Sequence, residues 1–377
     1  MFVFVGCASK KSDDTTYTIS QSNYVGMSME YLESIGLTFY DKQQIVYCGD
    51  STYIVFPDGF DLVFYHLESK KEANRIKFSI NIENSLQISA DSPRDAAVLY
   101  GNAVLRVRDG VEEIHELGDG LDGMQWGNHS GFEYFANLDK VVLGLKKGSW
   151  PGEDSLKHFL SGLGEYDLTT RASSKLPFQF SEIYRKPEFW SSEYYVSRSD
   201  HRLVVSENWG EEVYVIDMKS NGVSRYTVKH STERIKDELP SDLSEYPHLI
   251  PKDEEQKTEK YALWELRHYY FEKYTKALMS VDGKRIYRIY YHRIPVGYNV
   301  SLLTPQPRHQ RAVSIVQYDL ATEKTKEYIL PANHYYVLSS FWLSQLETID
   351  HIKFHYTSNR QVDDALYFLE RLEFFDI

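Results

Sequence analysis

The residues that could do chemistry fall into a few clusters, and none meets the spacing its reaction needs. Gly127-Asn128-His129-Ser130-Gly131 holds the ingredients of a nucleophile elbow. That strained turn requires Gly-x-Ser-x-Gly, and here the serine comes one position late, so the stretch reads as a turn. His351 and His355 lie four apart, which suits a metal site on a helix. Residues 349–356 read as a strand, however, where four residues span about 13 Å, too far to share one zinc. Asp119-Gly120-Leu121-Asp122-Gly123 lacks the spacing and terminal Glu of an EF-hand; weak calcium binding and a plain loop both remain open there. No Walker-type phosphate loop or dinucleotide fingerprint occurs, so no metal site or cofactor is expected. Paired carboxylates would serve glycoside hydrolysis, but among 55 acidic residues pairs arise by chance and no spacing singles one out.

What remains is recognition. Trp126, His129, Trp150, Trp190 and Trp209 are placed on loops, where aromatic rings stack on sugars or anchor a protein partner. The competing reading for each tryptophan is a plug between packed sheets. Arg288 and His292, on a strand with Tyr287 and Tyr291, are candidates to face a central channel, or else to close a hydrogen bond between neighbouring sheets.

The elements that must position these residues repeat. Phe64-Tyr65-His66-Leu67-Glu68-Ser69-Lys70, Glu165-Tyr166-Asp167-Leu168-Thr169-Thr170, Val215-Ile216-Asp217-Met218-Lys219-Ser220 and Gln317-Tyr318-Asp319-Leu320-Ala321-Thr322 share one pattern. Each is an apolar or aromatic strand, then Asp or His, an aliphatic residue, a polar turn and a second strand. Weaker copies lie at 105–115 and 366–375. Asn221-Gly222 supplies the strongest short hairpin signal. A spacing of roughly 40–60 residues suits propeller blades, since one four-stranded sheet cannot bury both its faces alone. The fold class expected is therefore all-β, a β-propeller of six blades with seven as the alternative; an ordinary β-sandwich is the competing class. Residues 17–20 are expected to pair with strands at 365–375 and close the ring. Residues 17–377 form the single propeller domain, and a charged insertion occupies 231–260.

Composition agrees with strands. The chain of 377 residues carries Tyr 30, Phe 19 and Trp 6, and aromatic and β-branched residues favour sheets. A net charge of -13 argues against non-specific nucleic-acid binding, which needs a basic surface. No apolar run approaches the roughly 20 residues of a membrane-spanning helix. The two cysteines, Cys7 and Cys48, provide no disulfide framework; Cys48 is expected inside a buried strand.

At the N-terminus, Met1-Phe2-Val3-Phe4-Val5-Gly6-Cys7-Ala8-Ser9-Lys10-Lys11 resembles a bacterial lipoprotein signal: an apolar run, a small residue, a cysteine, then a polar tail. It departs from that pattern in its short apolar run and missing basic leader, which suggests a true start upstream of Met1. The resemblance implies lipidation at Cys7, residues 1–16 as signal remnant and tether, and attachment to a membrane through that lipid only. Together with the Asp-aliphatic hairpins and Asp282-Gly283-Lys284-Arg285-Ile286-Tyr287-Arg288-Ile289-Tyr290-Tyr291, the whole chain resembles a group of uncharacterised Bacteroidota lipoproteins, domain of unknown function 4221, similar to six-bladed propellers. That resemblance implies a cell-envelope location, periplasmic or surface-facing, and no reaction. The function expected is a monomeric binding module for an envelope protein or a glycan. A hydrolase or lyase acting on glycans or peptides at the propeller axis is the alternative.

Overall fold

Runs such as Ala96-Ala97-Val98-Leu99, Val141-Val142-Leu143 and Leu203-Val204-Val205 lack the polar alternation of a half-exposed strand, so they need cover on both faces. The computed structural model supplies that cover. It describes residues 18–20, 44–85, 87–122, 124–127, 131–146, 162–178, 194–230, 272–292, 313–330, 348–349, 353–358 and 368–375.

The described strands form six antiparallel sheets. The first contains Gln44–Cys48, Ser51–Asp58, Asp61–His66 and Lys71–Lys77, and the second Gln87–Ser92, Asp95–Tyr100, Ala103–Arg108 and Val111–Glu116. The third contains Gln125–Gly127, Glu133–Phe135, Lys140–Lys146, Gly162–Asp167 and Ser173–Lys175. Its first two strands pair with different halves of Lys140–Lys146. The fourth contains Tyr194–Ser199, Arg202–Glu207, Glu212–Asp217 and Val223–Thr227; the fifth, Lys273–Met279, Arg285–Tyr291, Val313–Asp319 and Lys324–Leu330. The sixth is built from both ends of the chain: Thr348–Ile349, Lys353–Ser358 and Phe368–Phe375, then Thr18–Ser20. Thr18 lies opposite Phe375 and Ser20 opposite Glu373, which is the expected closing pair.

The opening strands of successive sheets neighbour one another around a closed circuit. Gln44–Cys48 meets Gln87–Ser92, which meets Glu133–Phe135, then Tyr194–Ser199, Lys273–Met279, Thr348–Ile349 and again Gln44–Cys48. The architecture is that of a β-propeller, with these strands around the axis. The core lies between sheets. Ala96 and Val98 pack with the first sheet, whereas Ala97 and Leu99 pack with the third. Leu203 and Val205 turn to the third sheet and Val204 to the fifth. Successive residues point to opposite faces of a strand, so one unbroken apolar run serves two interfaces.

Each sheet is a meander, so its connections sort to two ends. Turns between first and second strands, and between third and fourth, share one end and are short. The opposite end carries the links between sheets and those between second and third strands. Residues 147–161, 231–271 and 293–312 leave and rejoin the described strands there. The charged insertion expected at 231–260 lies outside the described residues.

Two expectations need correcting. Cys48 is exposed, because it ends its strand at the Gly49-Asp50 turn rather than filling a core position. Residues 349–356 are not one strand: Thr348–Ile349 and Lys353–Ser358 run antiparallel, with Ile349 opposite Phe354. His351 lies outside the described residues, so the expected strand spacing between it and His355 goes unplaced.

Candidate functional site

The repeated Asp-aliphatic phrase builds the short-turn end. The Asp167 carboxylate accepts from the backbone N–H groups of Thr169 and Thr170 at 2.9 and 2.7 Å. Asp217 accepts from Lys219 and Ser220, both at 2.9 Å, and Asp319 from Ala321 and Thr322 at 3.1 and 2.9 Å. These bonds hold all three carboxyls below the usual aspartate range. In the first sheet His66 takes the same place, its Nδ1 accepting from the Ser69 N–H at 3.2 Å. Four residues after each acceptor the backbone is left-handed, at Lys70, Arg171, Asn221 and Glu323. The next aliphatic residue ties the turn to its neighbour: Leu67 N–H donates to Thr52 O, Leu168 to Asp139 O, Met218 to His201 O and Leu320 to Lys284 O. In these four sheets the turns at this end are held by their own hydrogen bonds.

Among the described residues, three of the candidate binding residues, Trp126, Trp209 and Arg288, are buried. Trp126 is a correction: it lies on a strand, not a loop, and is 5 % exposed in the core between the second and third sheets. Its Nε1 donates to Leu117 O at 3.0 Å. Trp209, in the turn after Arg202–Glu207, is 2 % exposed. Of the two readings for Arg288, the channel-facing one is corrected, since the residue sits on the second strand of its sheet and not on the axial one, and the hydrogen bond between neighbouring sheets is the one found. Arg288 is 1 % exposed, lies 3.9 Å over the Tyr274 ring, and donates to Glu207 O, Val228 O and Thr275 O. Arg288 therefore bolts the fourth sheet to the fifth. His292 meets Ser314 Oγ at 2.6 Å and lies edge-on to Tyr290. Cys7, His129, Trp150, Trp190 and His351 lie outside the described residues. Asp119 and Asp122 are exposed, and among the described residues no three metal-ligating side chains converge.

The structure instead brings a polar cluster to the axis that the sequence reading did not single out. Glu133, on the third sheet's axial strand, is buried. Its Oε2 accepts from Ser89 Oγ of the second sheet at 3.4 Å, and its Oε1 lies 3.9 Å from Lys276 Nζ of the fifth. Arg198 of the fourth sheet reaches past the third to the second, where it pairs with Asp91 and donates to Ala90 O at 3.1 Å. On the way it donates to Tyr134 O at 2.7 Å. Gln44 of the first sheet accepts from Ala90 N–H at 2.7 Å. Burial pushes the Glu133 carboxyl upward, against the pull of Lys276 and Arg198 and of its hydrogen bond to Ser89.

Each of these residues lies on the opening strand of its repeat. A charged side chain recurring there, beside apolar second and third strands, is the signal that aligning the repeats would have exposed. The arrangement combines a buried acid, a partly exposed ammonium and an Asp–Arg ion pair.

No family model matches the chain, and no curated protein matches it. Among solved structures, the crystal structure of a member of the DUF4221 family from Bacteroides vulgatus is similar, with TM-score 0.63 and 13% identity over 96% of this chain and 99% of that one. Oligogalacturonate lyase in complex with manganese aligns at TM-score 0.44 and 9% identity, over 94% of this chain and 81% of that chain. The luciferin-regenerating enzyme aligns at 0.43 and 10%, over 93% and 95%. At these identities the likeness is one of fold.

Proposed function

We propose that this chain is a six-bladed propeller lipoprotein of the bacterial cell envelope, of the kind represented by domain of unknown function 4221. It acts as a monomeric module that binds a ligand or a partner protein at its axis, with no reaction assigned to it. The observation carrying the binding reading is the convergence of Ser89, Asp91, Glu133, Arg198 and Lys276 from four sheets onto one line. Burying charged groups is costly, and a fold needing only closure could fill its axis with apolar side chains.

The blade count is supported by the closed circuit of six opening strands. The anchoring reading gains a direction from the strand order. Thr18–Ser20 runs antiparallel to Phe368–Phe375, so the chain enters it from the short-turn end. A lipid on Cys7 would turn that end toward the membrane, with a tether of residues 8–17 reaching roughly 35 Å when fully extended. The end with the long connections then faces away from the bilayer.

The test is a pull-down from envelope extract with the soluble chain beginning at Ser9, run beside a glycan array. Each hit is repeated with Lys276→Met and with Thr169→Ala at the short-turn end. Binding lost only with Lys276→Met supports an axial site; binding that neither substitution weakens removes it.

A further inference from the structure

We propose that the rim of the first sheet holds a neutral sugar ring, a pyranose stacked on Phe60 and hydrogen-bonded to Asp58, Asp61 and Lys77. The site is separate from the axis and does not depend on the axial reading.

A cavity of about 590 Å³ opens to solvent there, with Asp58, Phe60, Asp61, Arg75, Lys77 and Phe78 in its lining. That volume lies in the range of small-molecule sites. The cavity adjoins the turn between the sheet's second and third strands, at the end that carries the long connections. Asp58 lies opposite Asp61, so Gly59 and Phe60 form a two-residue turn. The left-handed φ of +61° at Gly59 lets it close. The tip is pinned from the segment beyond the fourth strand. Phe60 O accepts from Phe78 N–H and Gly59 O from Ile82 N–H, both at 2.8 Å, and Gly59 N–H donates to Glu83 Oε1 at 3.0 Å. On this fixed tip Phe60 is 49 % exposed, although Phe56 and Phe64 of the same sheet are buried. A lone exposed ring needs no ligand. What sets Phe60 apart is the polar company around its cavity.

Lys77 stands opposite Asp61, which stands opposite Asp58, so three charged side chains share one face in a row across the strands. Arg75, two residues before Lys77, is on that face too. Its Nη1 donates to Asp58 Oδ2 at 2.7 Å and lies 3.5 Å from Asp61 Oδ2. Glu72 accepts from its Nε and Nη2 at 2.7 and 2.9 Å. The guanidinium thus holds each aspartate through one oxygen. Among the described residues, nothing bonds the other oxygen, Oδ1, of either aspartate, or Lys77 Nζ. Two acceptors and an ammonium are left beside an exposed ring.

Those groups select the chemistry. The lining carries two acids and two bases, so an ion of either sign gains no net attraction. The matching ligand is neutral, with one apolar face for the ring and hydroxyls that donate to a carboxylate and accept from an ammonium. A pyranose has both, with C–H groups across one face and hydroxyls at its edge. A flat apolar molecule would cover Phe60 but strip the aspartate oxygens of water without replacing it. A small polyol would bond the edge and leave Phe60 bare.

The experiment is saturation-transfer NMR on the folded chain with the methyl pyranosides of glucose, galactose and mannose at millimolar concentration. Glycerol, glucuronate and glucosamine serve for comparison, and each responding sugar is titrated. At least one glycoside should bind, with saturation concentrated on the C–H protons of one ring face, and glycerol should not. Phe60→Ala should weaken binding about tenfold or more, whereas Phe60→Trp should keep it. Asp61→Asn and Lys77→Met should each weaken it several-fold. Tyr100→Ala removes an exposed aromatic from the corresponding turn of the second sheet and should leave binding unchanged. If Phe60→Ala fails to fold by circular dichroism, Phe60→Leu, which keeps apolar bulk without an aromatic face, replaces it. No response from any glycoside, equal binding of glycerol, or preference for glucuronate or glucosamine over every glycoside overturns the proposal. So does full affinity in Phe60→Ala, full affinity in both Asp61→Asn and Lys77→Met, or an equal loss in Tyr100→Ala. Binding lost with Lys276→Met but kept in Phe60→Ala places the sugar at the axis and overturns it as well.

Discussion

Individual side chains in this molecule are fixed by how closely neighbouring groups approach, within a sheet as well as between sheets. Gly164 shows this most directly. A Cβ there would lie 2.7 Å from the Trp126 six-membered ring and 3.2 Å from Leu121 Cδ1. The glycine is needed for space, because the indole lies against the strand and cannot swing away while its Nε1 is bonded to Leu117 O. Gly164→Ala is therefore expected to destabilise the chain by about 1–3 kcal/mol through overpacking. Trp126→Phe in the same chain should return part of that loss, since the two residues share one contact. Thermal unfolding of the single and double variants decides it, and purely additive losses would show that the contact is not the cause. Nothing in the sequence marked this pair: Trp126 stood among polar and glycine residues, the company of a loop, and only Gly164, two strands away on the same sheet, discloses the contact. Arg288 left two readings open, a channel-facing side chain or a hydrogen bond between neighbouring sheets, and the three backbone carbonyls from two sheets around its guanidinium decide for the second.

At the scale of the element, the hairpin phrase was legible because its logic is local. An aspartate followed by a polar turn can satisfy the N–H groups two and three residues on without help from elsewhere, and Asp167, Asp217 and Asp319 do so. Asp167→Ala and Asp319→Ala should each cost roughly 0.5–1 kcal/mol, the lower part of the range for lost caps, because both carboxylates are largely solvated. Their depressed ionisation sets the sign with pH. The stabilisation is complete above the ordinary aspartate range and is lost as the pH falls through the lowered values in the folded chain. Melting temperatures measured from about pH 5 down to 3 should thus converge for wild type and the alanine variants; a constant gap would mean that the turns do not depend on charge. The boundaries of the sixth sheet were less legible. Residues 349–356 alternate well enough to pass for one strand, and the reversal between Ile349 and Lys353 is visible only through the pairing of Ile349 with Phe354.

For the whole molecule, closure is the decisive step. The sixth sheet takes its outer strand from the beginning of the chain, so both ends of the sequence are held in one ladder. Deleting residues 1–20 should bare the edge of Phe368–Phe375, lower the melting temperature and promote self-association, because an unpaired edge is a template for another chain. Light scattering coupled to size exclusion, beside a thermal melt, tests this; a shortened chain that stays monomeric and equally stable would show that the pairing does not close the fold. The sequence by itself determined the class of architecture, the repeated turn and the closing pair, because hydrophobic runs and turn residues act over a few neighbours along the chain. Only the tertiary structure decided which polar residues meet. Glu133 and Lys276 are 143 positions apart (276 less 133), on sheets that are not adjacent, and no local pattern encodes a contact made by winding successive sheets around an axis.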